Sequence, residues 1–288
     1  MKDLPLAPPA DPVFSRVAII GLGLIGGSLA MAVRRTWPAS LVIGVDRKPI
    51  VERAMVGHAI DVGADDLGMA SEADLVVLAA PVRENERILR TELADYVPRA
   101  AIVTDVGGVK RSTHAAAADL PSRLTFVGGH PLAGAARGGI EHATAELFVR
   151  RPWILCPPGD GNLHRVDEFV RGLGAAPRVM DPDEHDRLVA FLSHLPQLTA
   201  SALMAVVGEA LGEGGLALAG RGLEDTTRLA TSPADIWKDV CASNADRIGA
   251  ALDALIEALQ ELRHGLSRGE ALDRIFTSAQ QWKDRTQH

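Results

Sequence analysis

One glycine-rich turn and one histidine are the residues of this chain whose types and spacing could support redox chemistry. The turn, Gly21-Leu22-Gly23-Leu24-Ile25-Gly26, has the Gly-x-Gly-x-x-Gly spacing that binds the pyrophosphate of a dinucleotide. His130 follows about a hundred residues later, in the glycine- and proline-containing segment Gly128–Gly134. A neutral imidazole in such a loop can accept a hydroxyl proton while hydride leaves the same carbon. Together the two motifs point to a dehydrogenase; the alternative for His130 is a turn histidine that only bonds the backbone.

The sequence around the glycine turn is that of a cofactor-binding strand, turn and helix. The turn follows a β-rich run, Val17–Ile20, and opens a predicted helix over residues 24–35. Gly21 permits the tight turn, Gly23 lets the backbone approach the pyrophosphate, and Gly26 lets the helix lie close to the sheet. Free N–H groups at the start of that helix attract phosphate. A glycine turn without a cofactor is the competing interpretation.

Asp46 sets the expected cofactor preference. It ends the second predicted strand, twenty positions after Gly26. Its carboxylate can accept the ribose hydroxyls and would repel a 2′-phosphate, which favours NAD over NADP. Arg47 and Lys48 lie beside it, and a cation there could neutralise the extra phosphate, so NADP stays open.

The elements that would position these motifs alternate between strand and helix up to about residue 181. This alternation is typical of a parallel sheet with crossover helices. The predicted strands are Val17–Ile20, Leu41–Asp46, Asp74–Ala80, Ala101–Asp105, Leu124–Val127, Trp153–Cys156 and Arg178–Met180. From residue 183 onward the apolar residues recur at helical spacing. We therefore predict an α/β fold class, with a flexible arm over residues 1–13, a Rossmann-like doubly wound sheet over 14–181 and an all-helical dimerisation domain over 182–288.

Composition and charge exclude several other classes of protein. With 288 residues and 47% hydrophobic side chains the chain can bury a sizeable core, and its net charge of −7 argues against a nucleic-acid partner. The apolar stretch Leu203–Ala219 is interrupted by Glu209 and Glu213, so no membrane span is expected. There is no recognisable signal peptide, and Cys156 and Cys241 lack zinc-site spacing. We therefore expect a cytoplasmic protein with no metal.

Further motifs follow the glycine turn and the histidine. One of them carries Arg228, which could pair with Asp225 or Glu224, or could hold a substrate carboxylate with its planar fork. In chain order the motifs are Gly21–Ser28, Asp105–Lys110, Gly129–Gly134, Ser193–Pro196, Asp225–Arg228, Trp237–Asp239 and Asn244. This set resembles the prephenate/arogenate dehydrogenases of tyrosine biosynthesis, over about residues 15–285. Unrelated nicotinamide enzymes share only the first motif.

The resemblance implies an NAD(P)-dependent oxidative decarboxylation of a cyclohexadienol acid, prephenate and/or arogenate, to 4-hydroxyphenylpyruvate or tyrosine. His130 is then the catalytic proton acceptor, and Arg228 holds a substrate carboxylate. Further substrate-binding candidates are Ser193, His194, Gln197 and Lys110. The cofactor-binding candidates are Gly21, Gly23, Leu24, Ile25, Gly26, Asp46, Arg47, Pro81 and Gly107. The C-terminal helices are expected to form a homodimer.

This chain departs from the family pattern near the expected site. Where the family usually has serine, this chain has Gly108. Where family members often have Thr and Glu, it has Ala135 and Ala136. Prephenate-specific members often have histidine at the position that Gln197 occupies here. Prephenate, arogenate and a 4-amino analogue therefore all stay open as substrates. A β-hydroxyacid dehydrogenase is disfavoured, because such enzymes typically use a helical lysine and residues 183–219 contain none. A non-catalytic NAD-binding dimer is the remaining alternative, since the hydroxyl expected at Gly108 is missing.

Overall fold

Two compact units make up the described part of this chain. The computed structural model describes residues 11–134, 137–159 and 163–286. Positions 1–10 of the expected arm over residues 1–13 lie outside these ranges, as do Ala135 and Ala136. The first unit contains the residues up to Asp186 together with Ser232–Ser243, and the second contains Arg187–Thr231 and the residues from Asn244 onward. Ser232–Ser243 thus belong to the same unit as the sheet. The boundary at residue 181 that was predicted from the sequence had assigned them to the helical domain.

An eight-stranded, mostly parallel sheet forms the centre of the first unit. Its strands are β1 (Arg16–Ile20), β2 (Leu41–Val45), β3 (Val62–Ala64), β4 (Leu75–Leu78), β5 (Ala101–Asp105), β6 (Leu124–Pro131), β7 (Pro152–Cys156) and β8 (Ala176–Val179). The spatial order is β3-β2-β1-β4-β5-β6-β7-β8. The first six strands run parallel, β7 is antiparallel to β6, and β8 is parallel to β7. The strand order reverses between β1 and β4, which creates the crevice where doubly wound sheets bind ligands.

Helices pack against both faces of the sheet because the buried strands are apolar on both sides. In β1, Val17 and Ile19 belong to one core cluster, whereas Ala18 and Ile20 belong to the other. The helices of the first unit are α1 (Leu24–Thr36), α2 (Lys48–Val56), α3 (Val82–Thr91), α4 (Leu93–Tyr96), α5 (Arg111–Ala117), α6 (Leu163–Gly172) and α10 (Ala234–Ser243). Residues of α1 and α6 join the first cluster, and residues of α3, α4 and α5 join the second.

The predicted α/β fold class is confirmed, and the structure corrects two details. β3 was not predicted, because its three residues include Gly63 and give little strand signal. β6 was expected to end at Val127 but continues to Pro131. The extension is held by antiparallel pairing with β7, a long-range contact that a run of two glycines does not reveal.

The second unit consists of helices and connecting turns in its described residues. Its helices are α8 (Leu195–Leu216), α9 (Arg221–Thr227), α11 (Ala245–Gly265) and α12 (Glu270–Arg285), and α7 (Pro182–Val189) contributes its last residues. Among the described residues, one run, Pro182–Leu216, is long and apolar enough to cross a membrane by length and composition. A π-helical segment, Ala190–His194, and the non-helical backbone of Gly212 interrupt it. These breaks distinguish it from an uninterrupted transmembrane helix.

Candidate active site

The glycine turn lies between β1 and α1, at the crevice of the sheet. Gly21 has a φ of +97°, a left-handed conformation that favours glycine, and its N–H donates to the carbonyl of Val45 at 2.8 Å. A Cβ added at Gly26 would collide with the carbonyl of Gly21. At Gly23, in contrast, an added Cβ would meet no atom within 4 Å. The turn is therefore close-packed at Gly21 and Gly26 and open at Gly23, which is the arrangement that lets a backbone approach a pyrophosphate.

A cavity of about 680 Å³ opens beside this turn, a volume typical of cofactor sites. The predicted cofactor-binding residues that line it are Gly21, Gly23, Asp46, Arg47 and Pro81. The predicted residues that do not line it are Leu24, Ile25, Gly26 and Gly107. Sequence reasoning missed six polar or aromatic lining residues, which are Asp65, Asp66, Glu84, Arg87, Glu92 and Tyr96. The segment after β3 and the helices α3 and α4 therefore line this cavity together with the glycine motif.

Asp46 is fixed at the cavity wall by the backbone of two elements. One carboxylate oxygen accepts the N–H of Leu22 at 2.7 Å, and the other accepts the N–H of Arg47 at 2.7 Å. Its side chain is 19% exposed, whereas the side chain of Arg47 is 87% exposed. Each carboxylate oxygen has two acceptor sites, so both oxygens can still accept a ligand hydroxyl.

Negative charge predominates around the cavity. Its lining contains the carboxylates of Asp46, Asp65, Asp66, Glu84 and Glu92, and the guanidinium groups of Arg47 and Arg87. Arg87 donates to both oxygens of Glu84, at 2.9 and 2.6 Å, and also bonds Glu92. The hydrogen bond from Arg87 is the main reason that the pKa of Glu84 lies below its ordinary value. Arg87 is therefore already occupied by two carboxylates.

His130 lies on the sheet, opposite Ile154 of β7, and not in a loop as the sequence suggested. Its Nδ1 is 2.8 Å from Nε2 of His185, which follows the sheet on α7. Nδ1 of His185 is in turn 2.7 Å from Oδ1 of Asp186. Both His185 and Asp186 are fully buried. The three side chains form a hydrogen-bonded series inside the first unit, which we call the His130–His185–Asp186 series.

Asp186 also ties this series to the loop after β5. It accepts the backbone N–H groups of Lys110 at 2.7 Å and Arg111 at 3.0 Å. Burial by itself raises the pKa of this carboxyl, but the hydrogen bonds from His185, Arg111 and Lys110 outweigh that effect and hold its pKa below the ordinary value. Asp186 is therefore a buried carboxylate that remains ionised at neutral pH.

A second buried carboxylate, Asp105, holds the same loop to β6. It forms an ion pair with the ammonium group of Lys110, and the side chains of both residues are at most 1% exposed. Its two oxygens also accept the N–H groups of Gly129 and Gly107, each at 3.0 Å. The position of Lys110 differs from the expected contact with substrate, because its ammonium group is enclosed in the protein, where Asp105 requires a counter-charge.

Gly108 lies beside the histidine ring. A Cβ at this position would be 3.9 Å from Nε2 of His130 and 4.0 Å from its Cε1, which is ordinary van der Waals contact. The backbone at Gly108 therefore has room for the Cβ of a serine beside the His130 ring.

The substrate-binding candidates of the second unit divide into buried and exposed residues. His194 is 2% exposed and Gln197 is 4% exposed. Nδ1 of His194 is 3.4 Å from Nδ2 of Asn244, and Gln197 donates to the carbonyl of Leu229 at 2.8 Å. Ser193 and Arg228 are exposed. Within the described ranges, Arg228 forms no ion pair with Glu224 or Asp225, the two neighbours considered from sequence.

Sequence reasoning missed His185 and Asp186. The segment Asp183-Glu184-His185-Asp186, directly after the last strand, offered one signal, an imidazole adjacent to a carboxylate at a predicted helix start. That signal is weak, since the partner of the imidazole, His130, is 55 residues away in the sequence.

Three features of the first unit define a dinucleotide-dependent oxidoreductase. They are an open glycine turn at the crevice of a doubly wound sheet, an acidic residue after the second strand, and a histidine that is hydrogen-bonded through a second histidine to a buried carboxylate. Comparison with known families makes this class specific. The profile described as "Prephenate dehydrogenase, nucleotide-binding domain" matches residues 29–178, and the profile described as "Prephenate dehydrogenase, dimerization domain" matches residues 181–279. The chain belongs to the prephenate dehydrogenase family.

Individual relatives agree with this assignment. The chain is 34% identical to the cyclohexadienyl dehydrogenase of Zymomonas mobilis over 265 residues, which is 88% of this chain and 89% of the relative. The crystal structure of prephenate dehydrogenase from A. aeolicus in complex with hydroxyphenyl propionate and NAD+ has a TM-score of 0.85 at 28% identity, covering 99% of both chains. The crystal structure of Synechocystis arogenate dehydrogenase has a TM-score of 0.79 at 29% identity, covering 94% of this chain and 99% of the other.

Proposed function

We propose that this protein catalyses the NAD-dependent oxidative decarboxylation of a cyclohexadienol acid, prephenate and/or arogenate, to 4-hydroxyphenylpyruvate or tyrosine. The observation that carries the proposal is the His130–His185–Asp186 series, which holds an imidazole at the end of a strand in a member of the prephenate dehydrogenase family. When bound, NAD+ supplies the acceptor for the hydride.

His130 handles the proton in this reaction. As hydride leaves the ring carbon that bears the hydroxyl, His130 accepts the hydroxyl proton. The bond between the opposite ring carbon and its carboxylate then breaks and CO2 leaves. The electron pair of that bond completes the aromatic ring, and the oxygen regains its proton from His130. Aromatisation and loss of CO2 make the step effectively irreversible.

The first unit would hold the cofactor through its backbone and one carboxylate. The pyrophosphate would lie against Gly23, the open position of the turn, and Asp46 would accept the ribose hydroxyls. NAD is preferred over NADP in this proposal, because a 2′-phosphate would enter a cavity with five carboxylates in which Arg87 is already paired. Arg47 is the remaining lining cation.

The second unit would contribute substrate recognition. By family resemblance, Arg228 holds a substrate carboxylate, and Ser193, His194 and Gln197 complete the binding set. Arg228 suits this role because the residue is exposed and makes no ion pair with Glu224 or Asp225 in the described part of the chain. Lys110 has a structural role in this proposal, as the counter-charge of Asp105.

A homodimer formed through the C-terminal helices would cover the apolar surface of the second unit. Large apolar side chains are exposed on its helices and on the turns after α8 and α11, and they are Phe191, Leu192, Leu203, Val206, Leu211, Leu218, Ile256, Leu259, Leu266, Phe276 and Trp282. Large exposed apolar patches commonly mark protein–protein interfaces. The proposed location is the cytoplasm, where NAD-dependent biosynthesis takes place.

A coupled assay of NADH formation tests the function directly. The protein is supplied with prephenate, arogenate and the 4-amino analogue in turn, each with NAD+ and with NADP+. Turnover of prephenate or arogenate with NAD+ is expected. Selective turnover of the 4-amino analogue would redirect the proposal to a relative in which a ring amine replaces the hydroxyl. Tight NAD+ binding with no turnover of any of the three would favour a non-catalytic dimer.

A further inference from the structure

We propose that His185 and Asp186 are positioning residues that fix the tautomer of His130, so that Nε2 of His130 is its proton-accepting atom. This inference rests on the proposed function, in which His130 receives the hydroxyl proton. It adds two residues to the site and says which nitrogen of His130 faces the chemistry.

The first step of the argument is the protonation pattern of the hydrogen-bonded series. An ionised carboxylate only accepts hydrogen bonds, so Nδ1 of His185 carries the proton that Asp186 accepts at 2.7 Å. In the neutral ring of His185, Nε2 is then an acceptor. It lies 2.8 Å from Nδ1 of His130, which must therefore be the donor. Neutral His130 is left with its lone pair on Nε2.

The second step concerns why Asp186 stays ionised although it is fully buried. Its Oδ1 accepts the N–H of Lys110, and its Oδ2 accepts the N–H of Arg111 and lies 3.4 Å from the Nε of Arg111. These donors suit only a carboxylate, because a carboxylic acid would turn its own O–H toward one of them. Positive charge also stabilises the two buried carboxylates, since Arg111 pairs with Asp186 as well as with the more exposed Asp183, and Lys110 pairs with Asp105.

The third step is the direction in which the lone pair points. A Cβ at Gly108 would lie 3.9 Å from Nε2 of His130, so Nε2 is the ring atom nearest to the Cβ position of the serine that the family usually carries there. The opposite nitrogen, Nδ1, is turned toward buried His185. The Nε2 edge is therefore the edge of the ring that faces Gly108, the position at which the family usually carries serine.

Nitrogen NMR reads out the tautomer directly and does not depend on turnover. Long-range 1H–15N correlation spectra of the full-length protein labelled with 15N-histidine distinguish protonated from unprotonated ring nitrogens, and the His130 signal is identified by its loss in His130→Asn. We expect a proton on Nδ1 and none on Nε2 in the wild-type protein at a pH where the ring is neutral. A wild-type His130 protonated on Nε2 would overturn the proposal.

Two substitutions of His185 separate positioning from packing. His185→Gln keeps an oxygen that can accept the N–H of His130, whereas His185→Phe fills similar space without an acceptor. We expect His185→Phe to reduce the Nδ1–H population of His130 and to lower kcat on the order of 10- to 10³-fold, with NAD+ affinity unchanged. His185→Gln should keep the Nδ1–H form and recover most of the lost kcat. Equal losses of kcat and the same tautomer in both variants would overturn the proposal.

A matched control is available on α5. His114 is another largely buried histidine, and its ring packs edge-on against Phe126 at a centroid distance of 5.1 Å. His114→Phe should leave the tautomer of His130 unchanged; a change as large as that in His185→Phe would assign the effect to general repacking and would overturn the proposal. If the wild-type protein turns over none of the three acids while His130 keeps the Nδ1–H form that His185→Phe abolishes, the proposed function fails and the tautomer assignment is supported.

Discussion

The carboxylate of Asp46 accepts the backbone N–H of Leu22 in a hydrogen bond of 2.7 Å. Asp46 follows β2 and Leu22 lies within the glycine turn after β1, so one side chain joins two neighbouring strands at their carboxyl ends. The same carboxylate lines the cavity. In the proposed function Asp46 therefore combines two tasks, because it shapes the turn through an oxygen and would repel a 2′-phosphate through its charge.

Substitutions at Asp46 can separate these two tasks. Asp46→Asn keeps an oxygen for the N–H of Leu22 and removes the negative charge, so the preference for NAD+ over NADP+ should fall by about 1–3 kcal/mol. Asp46→Ala removes both and should also lower the free energy of unfolding by about 1–2 kcal/mol relative to Asp46→Asn. The measurements are kcat/KM for the two cofactors and urea denaturation. A wild-type preference for NADP+ would contradict this account of Asp46.

The pairing of Arg87 gives a second test of cofactor preference. The double substitution Glu84→Gln and Glu92→Gln removes both carboxylates that engage Arg87, which makes its guanidinium group available to a 2′-phosphate. The Kd for NADP+ should fall by about 3- to 30-fold while that for NAD+ changes little, as measured by isothermal titration calorimetry. Adding Arg87→Met to the double variant should reverse the gain. If the gain persists without Arg87, the guanidinium group is not its source.

The parts of the fold that local patterns determine could be predicted from the sequence. Strands with several consecutive Val or Ile residues, such as Leu75–Leu78, have a signal of their own, and the glycine turn has a fixed spacing. Val62–Ala64 forms a strand only because β2 offers it a partner. The continuation of β6 through Gly128 and Gly129 likewise depends on β7. Both are tertiary effects that override weak local propensity.

The candidate site divides in the same way. His130 stood out because glycines and a proline surround it, whereas its partner His185 became recognisable only when folding brought the two rings together. The buried state of Lys110 was also beyond sequence reasoning, since the pairing with Asp105 requires the loop to fold back on β5. The roles of charged residues are the hardest to predict from sequence, because the same side chain can lie at the surface or form a buried ion pair.

Replacement of His130 tests its role in proton transfer. His130→Asn keeps a polar group near the position of Nδ1 but cannot accept a proton near neutral pH, so kcat should fall on the order of 10²–10⁴-fold. The affinity for NAD+, measured by fluorescence titration, should stay near that of the wild-type protein, because the glycine turn and Asp46 are unaltered. An unchanged kcat would remove His130 from the chemistry.

Arg228 is expected to act through substrate binding. Arg228→Ala should raise KM for the cyclohexadienol acid on the order of 10²-fold, since a bidentate contact with a carboxylate is lost, while kcat changes less. Arg221→Ala removes another exposed arginine, at the start of α9, and serves as the matched control with near-normal KM. Steady-state kinetics with saturating NAD+ provide the comparison. Equal KM values in the two variants would make Arg228 a surface residue without a binding role.

The buried ion pair of Lys110 and Asp105 should matter for stability more than for recognition. Lys110→Met leaves the carboxylate of Asp105 enclosed without a counter-charge, and the free energy of unfolding should fall by about 3–5 kcal/mol. Adding Asp105→Asn removes the uncompensated charge, while the amide oxygen can still accept one of the two glycine N–H groups. The double variant should therefore be more stable than Lys110→Met in urea denaturation. If Lys110 instead contacted substrate, Lys110→Met would raise KM at nearly unchanged stability, and the second substitution would only add to the damage.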